Sequence, residues 1–597
     1  MSISNSYPQQ RATLNLDFAN SGKLDSRISY ARSSTGTAFS SERHKSSENL
    51  LQYSNPITSH WTETNTAITV NSTAAPDGTT TASNLLETSG TGYHETRETF
   101  ACTNAVSHTA TFYAKANGRT VIRFLPRTSS GVIANVEFTL SGAGSESLIS
   151  GTATRSIAAV GSGGWYKLTI TFAGNATATG DFQINACESA GTDSYAGDAT
   201  KGVYLWGCGM SSLQEQVLNP TSGSIHREFA PTLKTSPIDK PRFEFDASGN
   251  SEGLLIEQQY TQYAHYSEQF DNNGGWAKVN ATVQPNSAPA PDGTLSADLI
   301  VEAYETSGTN AHYIQQNTLS SVAVGETYTW TVFAKAAGRS SLAIYSSIGG
   351  ANVMGYWNLT DGSVTTSSGT GLFSSKDCGN GWYRLEMTFT TTTTSGGGNY
   401  FYTVNGGVTG YPGNGYGSVL LWGANLTKTA SSMSYVKAES STVTKSADSC
   451  SVADFGYTGG PISITAESNT SDVTSSAKIL FRLDAGVGVF TQYFSGTLLY
   501  SYVFDGSGTQ ALQYPVGPVV AGQTYKTATR VNTNDMNSAA DGVTQTVDTT
   551  GVIPDLAAAT LHIGGITGSY GLNGNLKNLK VFSAPLSDTN LSSITSS

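Results

Sequence analysis

Charge is scarce in this 597-residue chain: Asp, Glu, Lys and Arg together supply 13% of it. The 32 basic and 44 acidic residues leave a net charge of -12 without any run of Lys or Arg. No basic stripe can neutralise a phosphate backbone, so nucleic acid is excluded as a partner. Long apolar runs are missing as well, and without about 18 consecutive apolar residues no membrane insertion is expected. The opening MSISNSYPQQRATLNLDF has no basic region leading into an apolar core, so Sec export is not expected either. Five cysteines, Cys102, Cys187, Cys208, Cys378 and Cys450, form no CxxC pair and are too few to staple the chain. They read as small buried hydrophobes made in a reducing compartment. Apolar residues seldom recur at helical spacing for more than a turn or two, which excludes long amphipathic helices and coiled coils.

What is abundant points one way. Gly (64), Tyr (29), Ser and Thr crowd every stretch, the composition of short strands joined by tight turns. The chain is several times the size of one hydrophobic core, so it must divide into domains. Four blocks recur in the same order at offsets of 215 to 220 residues. APDGTTTASNLLE (75–87) matches APDGTLSADLIVE (290–302), and FYAKANGR (112–119) matches VFAKAAGR (332–339). GGWYKLTITF (163–172) matches NGWYRLEMTF (380–389), and YLWG (204–207) matches LLWG (420–423). The framework is retained while the loops diverge.

Each block has a physical reading. The WYKLTITF and WYRLEMTF segments alternate large apolar with polar residues, the mark of a strand with one face buried. In Pro76-Asp77-Gly78 and Pro291-Asp292-Gly293, proline presets φ and glycine accepts a positive φ, which starts the next strand. Trp61, Trp165 and Trp206 recur as Trp276, Trp382 and Trp422 at nearly constant spacing, so they read as core. Residues 241–257 alternate on both sides of a Gly/Asn turn and predict a β-hairpin, expected to pair with residues 14–18 or 27–31. From about residue 445 neither block repeats, and clean alternation in 476–485 and 498–508 predicts a separate sandwich. Its end, GNLKNLKVFSAPLSDTNLSSI, predicts a last strand and a short helix starting near Ser587-Asp588.

The expected fold is therefore all-β: three jelly-roll or lectin-like β-sandwiches in tandem with a short β-rich N-terminal segment. The divisions fall at 1–48 (N-terminal, particle-docking), 49–214 (first sandwich), 215–262 (linker and hairpin), 263–437 (second copy) and 438–597 (third sandwich).

LDSRISYARSSTGT (24–37), PRFEFD with GLLIE (241–257), YSEQFDN with Trp276, and APDGT together resemble bacteriophage virion fibre proteins of the tail-fibre and head-fibre kind, which join such an N-terminal stretch to carbohydrate-binding-module-like sandwiches. The C-terminal GNLKNLKVFSAPLSDTNLSSI resembles the closing strand and helix of laminin-G and concanavalin-A-like lectin domains. The resemblance implies a non-enzymatic virion structural protein for host attachment, carried as a homotrimer on the virion surface and made in the host cytoplasm. Its partners would be other virion proteins and a host cell-surface glycan. Tandem copies multiplied by trimerisation would raise avidity. The sequence shows no shaft-like repeat, which keeps a capsid-mounted head fibre or decoration protein without receptor binding as an alternative. A polysaccharide-degrading enzyme, acting through two acidic residues, is a further one.

Catalytic and metal motifs fail on inspection. GNSEG (249–253) matches GxSxG but sits in a hairpin turn, not a strand-to-helix elbow. His94-Glu95 is not completed to HExxH. No cofactor is expected; Asp77 and Asp292 are the carboxylates that a structural calcium would use, although turn formation explains them better. Aromatic side chains that differ between the copies are the candidates for stacking on sugar: Tyr93 and His94 against His312 and Tyr313, then Tyr356, Trp357, Tyr411 and Tyr416.

Overall fold

The computed structural model describes residues 11–161, 163–212, 221–224, 226–473, 477–486, 488–514, 517–566 and 570–596. The expected division at 214/215 and the first ten residues of the N-terminal segment lie outside them. The protein is all-β: among the described residues, antiparallel sheets pair into three sandwiches, with a short α-helix near each end.

The two repeats fold alike down to strand order. In the first, a front sheet runs Thr62–Thr64, Thr91–Cys102, Ala178–Cys187, Val121–Phe124, Ala134–Thr139, Ser145–Gly151. The second repeats this order with Ala277–Val279, Tyr313–Ser321, Ser395–Thr403, Ser341–Ser346, Val353–Asn358, Val364–Ser368. The back sheets correspond too. Thr66–Thr73, Ala82–Glu87, Gly202–Ser211, Ser107–Asn117, Trp165–Ala173, Thr154–Val160 match Ala281–Pro289, Leu295–Glu302, Gly417–Thr427, Thr327–Ala336, Trp382–Thr390, Gly371–Asp377.

Alternation decides which residues fill the space between sheets. Tyr166, Leu168, Ile170 and Phe172 point inward and join Phe112, Phe124 and Phe182 in the first core. All six recurring tryptophans are buried, but they do not share one environment. Trp61 and Trp276 lie between the sheets. Trp165 and Trp206 lie on the opposite face of the back sheet, in a small cluster with Ala75, Ala82 and Val160. Trp382 and Trp422 do the same in the second repeat, where Phe39, Leu233 and Tyr435 cover them. Phe39 and Leu233 come from a two-stranded ribbon, Gly36–Asn49 paired with His226–Ser236.

The hairpin forms as expected, Arg242–Phe245 with Ser251–Ile256, but its pairing differs. Its second strand bonds to the closing strand Gly574–Phe582, and Leu14–Asp17 bonds to the same edge farther along, so the hairpin and the N-terminal strand are neighbours rather than partners. A nine-residue strand is long enough for two short ones end to end. Ser29–Ala31 pairs with Ser449–Val452 in the other sheet of this sandwich. The two ends of the chain thus build the third sandwich together. Helix Asp588–Thr595 follows its last strand, and the Ser587 side chain accepts the Asn590 N–H as N-cap.

Candidate functional site

The front sheet of the second repeat exposes a face of five tyrosines. Ile314, Ile344 and Phe401 point into the core, so the alternate residues on the same strands point out. The registers set Tyr313 opposite Tyr402, Tyr402 opposite Ala343, Tyr345 opposite Tyr400 and Ala343 opposite Tyr356. Four of the rings touch as a continuous surface, and Tyr356 stands next to them across Ala343. Tyr313 and Tyr402 have centroids 4.7 Å apart, Tyr345 and Tyr400 5.2 Å, and Tyr400 and Tyr402 stack at 5.9 Å and 18°. Each ring is half-buried, so each keeps a face or an edge for solvent. Burial, reinforced by neighbouring phenols, pushes the Tyr402 hydroxyl up, and Tyr345 likewise, so both remain protonated donors at neutral pH. The residues that share this face by register, among them Ala277, Val279, Gln315, Ala343, Met354 and Thr366, carry no charge. Such a surface can stack on the apolar faces of sugar rings and hydrogen-bond their hydroxyls.

The first repeat presents opposite chemistry at the same positions. Its registers put Glu95 where the second has Tyr313, Arg97 where it has Gln315, Gln183 and Asn185 in place of Tyr400 and Tyr402, and Glu137 in place of Tyr356. Ion pairs latch this face: Arg123 meets Glu137 at 3.1 Å and Asp193 at 2.5 Å, and Gln183 donates to Glu95. The tandem copies are therefore not two equal sites.

Of the sequence candidates, Tyr313 and Tyr356 belong to the tyrosine face. Tyr93 is 52% exposed, on a strand that pairs there with Ser194–Ala196. Tyr416 lies between the repeats. His94, His312, Trp357 and Tyr411 are corrected: exposures of 0, 0, 0 and 4% keep them from any ligand arriving through solvent. The two histidines are structural equivalents. His94 places Nδ1 2.8 Å from Asn65 O and Nε2 3.2 Å from Tyr195 O; His312 places them 2.8 and 2.9 Å from Asn280 O and Tyr411 O. Beside each is an ion pair on a buried carboxylate, Glu87 with Arg119 and Glu302 with Arg339, the guanidinium lying over Tyr195 or Tyr411 at 4.9 and 5.1 Å. Sequence comparison set Tyr93 and His94 against His312 and Tyr313 as loop residues that differ, whereas the structure aligns His94 with His312, and both histidines pin the same strand junction.

The sequence reasoning missed Tyr345, Tyr400 and Tyr402. The period-two spacing of Tyr400-Phe401-Tyr402 is the signal that could have found the last two. Asp77 and Asp292 shape identical turns: each Oδ1 accepts the N–H of the residue two on at 2.9 Å and that residue's hydroxyl at 2.7 or 2.6 Å. Among the described residues no group of three or more His, Cys, Asp or Glu side chains is placed to hold a metal ion, and no helix is long and apolar enough to cross a membrane.

No family model matches the chain, and no curated protein matches it. Among solved structures, the LG1-3 region of the laminin α2 chain is similar at 11% identity, covering 82% of this chain and 96% of that one with a TM-score of 0.18. The CBM22-1-CBM22-2 tandem domain of Paenibacillus barcinonensis Xyn10C is similar at 10% identity, covering 71% and 99% with a TM-score of 0.18. A pentraxin from Limulus polyphemus is similar at 17% identity over 23% of this chain and 70% of that one, TM-score 0.20. At these scores the likenesses carry no argument about what the chain binds.

Proposed function

We propose that the protein is a non-enzymatic attachment protein that binds a glycan on the tyrosine face of its second repeat. One observation carries this reading: four half-buried tyrosines in ring contact, flanked by Tyr356 across Ala343, form an uncharged surface on the outward side of a rigid sheet. Aromatic rings fixed by a sheet lose little entropy on binding, and phenol hydroxyls at their rims supply directional bonds. The absence of charge from that face favours a neutral saccharide. The first repeat, its matching face latched by ion pairs, serves as a spacer for this purpose.

The resemblance of residues 24–37, 241–257 and 266–276 to phage fibre proteins supplies the setting: a virion surface, other virion proteins as partners, and a host surface glycan as target. As a homotrimer the protein would present three such faces, and avidity would multiply weak single contacts. The test is binding of the purified chain to an array of bacterial surface polysaccharides, with competition for virion adsorption. Binding by the native chain should weaken about tenfold for each ring removed, in Tyr400→Ala and Tyr402→Ala, on the order of 1.4 kcal/mol apiece. Binding undiminished by both substitutions together would defeat the reading. Capsid location with normal adsorption after removal of the protein would favour a decoration role.

A further inference from the structure

The two repeats enclose a cleft of about 510 Å³ that neither builds alone. The first repeat supplies Tyr113, Lys167 and Trp206 from the outer face of its back sheet; the second supplies Arg339, Asn414 and Tyr416 from its loops. Tyr113 and Trp206 meet edge to face, centroids 5.2 Å apart at 62°. The Trp206 indole N–H is already spent on the Thr81 hydroxyl at 3.0 Å, which locks the ring. Tyr416 reaches across from the other side: a methyl group placed on Gly161 of the first repeat would lie 3.4 Å from its hydroxyl oxygen. Arg339 is held in place by Glu302 at 2.7 Å. Both walls are thus pre-organised.

The lining sets the half-buried Tyr113 and Tyr416 and the buried Trp206 beside Asp77, Lys167, Arg339 and Asn414, together with apolar side chains such as Val160, Met210, Leu299 and Val301, so it is not an apolar seal alone. Its volume falls within the range of small-ligand pockets, about 300 to 1,000 Å³, and junctions between domains are a favoured place for them. We propose that this cleft is a second saccharide site, which takes a hydroxyl-rich unit of two or three sugar rings beside the place where Tyr416 packs on the Trp206 cluster, against Tyr113, Lys167, Arg339 and Asn414. The proposal rests on the glycan-binding reading above and deepens it: a chain or branch held here would touch both repeats, so the repeats would be coupled through the ligand. Burial raises the Tyr416 phenol to about 12, with Tyr113, Asp77 and Tyr304 beside it, so it enters the cleft as a proton donor at neutral pH.

The full chain would be tested by saturation-transfer NMR with cellobiose, maltose, lactose and chitobiose, each in large excess. In the variant Tyr400→Ala/Tyr402→Ala, which removes part of the tyrosine face, at least one disaccharide should still receive saturation. That residual signal should drop at least fivefold when Tyr113→Ala and Tyr416→Ala are added, and less in Tyr416→Phe, which keeps the ring. Circular dichroism and melting temperature verify that each variant is folded. Loss of all transfer in the tyrosine-face variant, or a residual signal indifferent to Tyr113 and Tyr416, would overturn the cleft and leave the tyrosine face standing. Transfer undiminished by the tyrosine-face substitutions but abolished by the cleft substitutions would do the reverse. No transfer from the native chain to any of the four would overturn both.

Discussion

Arg242 and Asp448 meet in the interior, Nη2 to Oδ2 at 2.5 Å, with neither side chain exposed to solvent. Around them Arg32 lies 3.4 Å from Asp448, Glu257 2.7 Å from Arg242, and Lys445 3.3 Å from Asp448 and 3.6 Å from Glu257. Arg32 comes from the N-terminal segment, Arg242 and Glu257 from the hairpin, Lys445 and Asp448 from the stretch entering the third sandwich. Glu257 also accepts the Ser434 N–H at 2.6 Å, which ties in the end of the second repeat. One buried ionic cluster thus joins segments that are hundreds of residues apart.

Removing its central anion should be costly. Asp448→Ala leaves three cations facing Glu257 alone in a buried site, and the expected loss is about 3–5 kcal/mol. Denaturant melts of native and variant chains, followed by near-ultraviolet dichroism, measure it. Burial by itself would raise the Asp448 carboxyl, but the charges of Arg242 and Lys445 override it and hold it far below the usual carboxylate range. Its stabilisation is therefore present above the unfolded-state pKa of about 4 and is lost only as pH falls toward the much lower folded value. Native protein should resist acid through this cluster more than Asp448→Ala does.

Glu98 and Asp298 titrate the other way. Burial pushes each up to about 7, although Glu98 accepts the N–H groups of Gln52 and Tyr53, and Asp298 those of Asn286 and Phe270. A raised carboxyl favours folding most when protonated, so stability is greatest below about 4.5 and declines as pH rises through 7. The second repeat carries Gln316 at the position of Glu98, and its Oε1 accepts the His265 N–H at 3.1 Å. Glu98→Gln should therefore flatten the fall in melting temperature between pH 5 and 8, with Asp298 responsible for what remains. A slope identical to the native one would refute the assignment.

The Glu87 carboxylate should matter to folding and not to glycan binding. Glu87 accepts Arg119 at 2.5 and 2.9 Å, Tyr195 at 2.5 Å and the Asp198 N–H at 2.8 Å. Burial alone would raise its carboxyl, yet these partners lower it. Glu87→Ala should destabilise the first repeat by about 3–5 kcal/mol through the stranded guanidinium. Polysaccharide binding below the new melting temperature should be unchanged.

Two glycines test the equivalence of the copies directly. A Cβ on Gly197 would lie 2.0 Å from Thr88 O, and one on Gly413 2.1 Å from Ala303 O, each beside the pinned histidine. Gly197→Ala and Gly413→Ala should each cost about 1–3 kcal/mol through overpacking. Calorimetry should show similar penalties in the two repeats.

Much of this architecture was legible in the residues. Glu87 and Arg119 fall inside two of the recurring blocks, as do Glu302 and Arg339, so the internal copying already marked those pairs. Alternation in residues 165–172 and 382–389 identified the back-sheet strands, and Ser587-Asp588 the last helix. Hydrophobic periodicity is local, and a strand's buried face is written in its own neighbours. The tyrosine face was only half visible. Tyr313 and Tyr356 were found because they differ between copies, but Tyr345 and Tyr400 meet across a register that no local pattern encodes.

Sequence by itself determined that the chain is all-β, that it contains one module twice, and where the strands and turns of that module fall, because φ preferences and alternation act over a few residues. Only the tertiary structure decided that both chain ends complete the third sandwich, that Trp165 and Trp382 lie outside the inter-sheet cores, and that His94 and His312 are buried pins while Tyr400 looks outward. Those outcomes depend on which strand edges meet and which sheet faces are covered. Pairing across hundreds of residues is settled by the packing of the whole rather than by any segment's own preference.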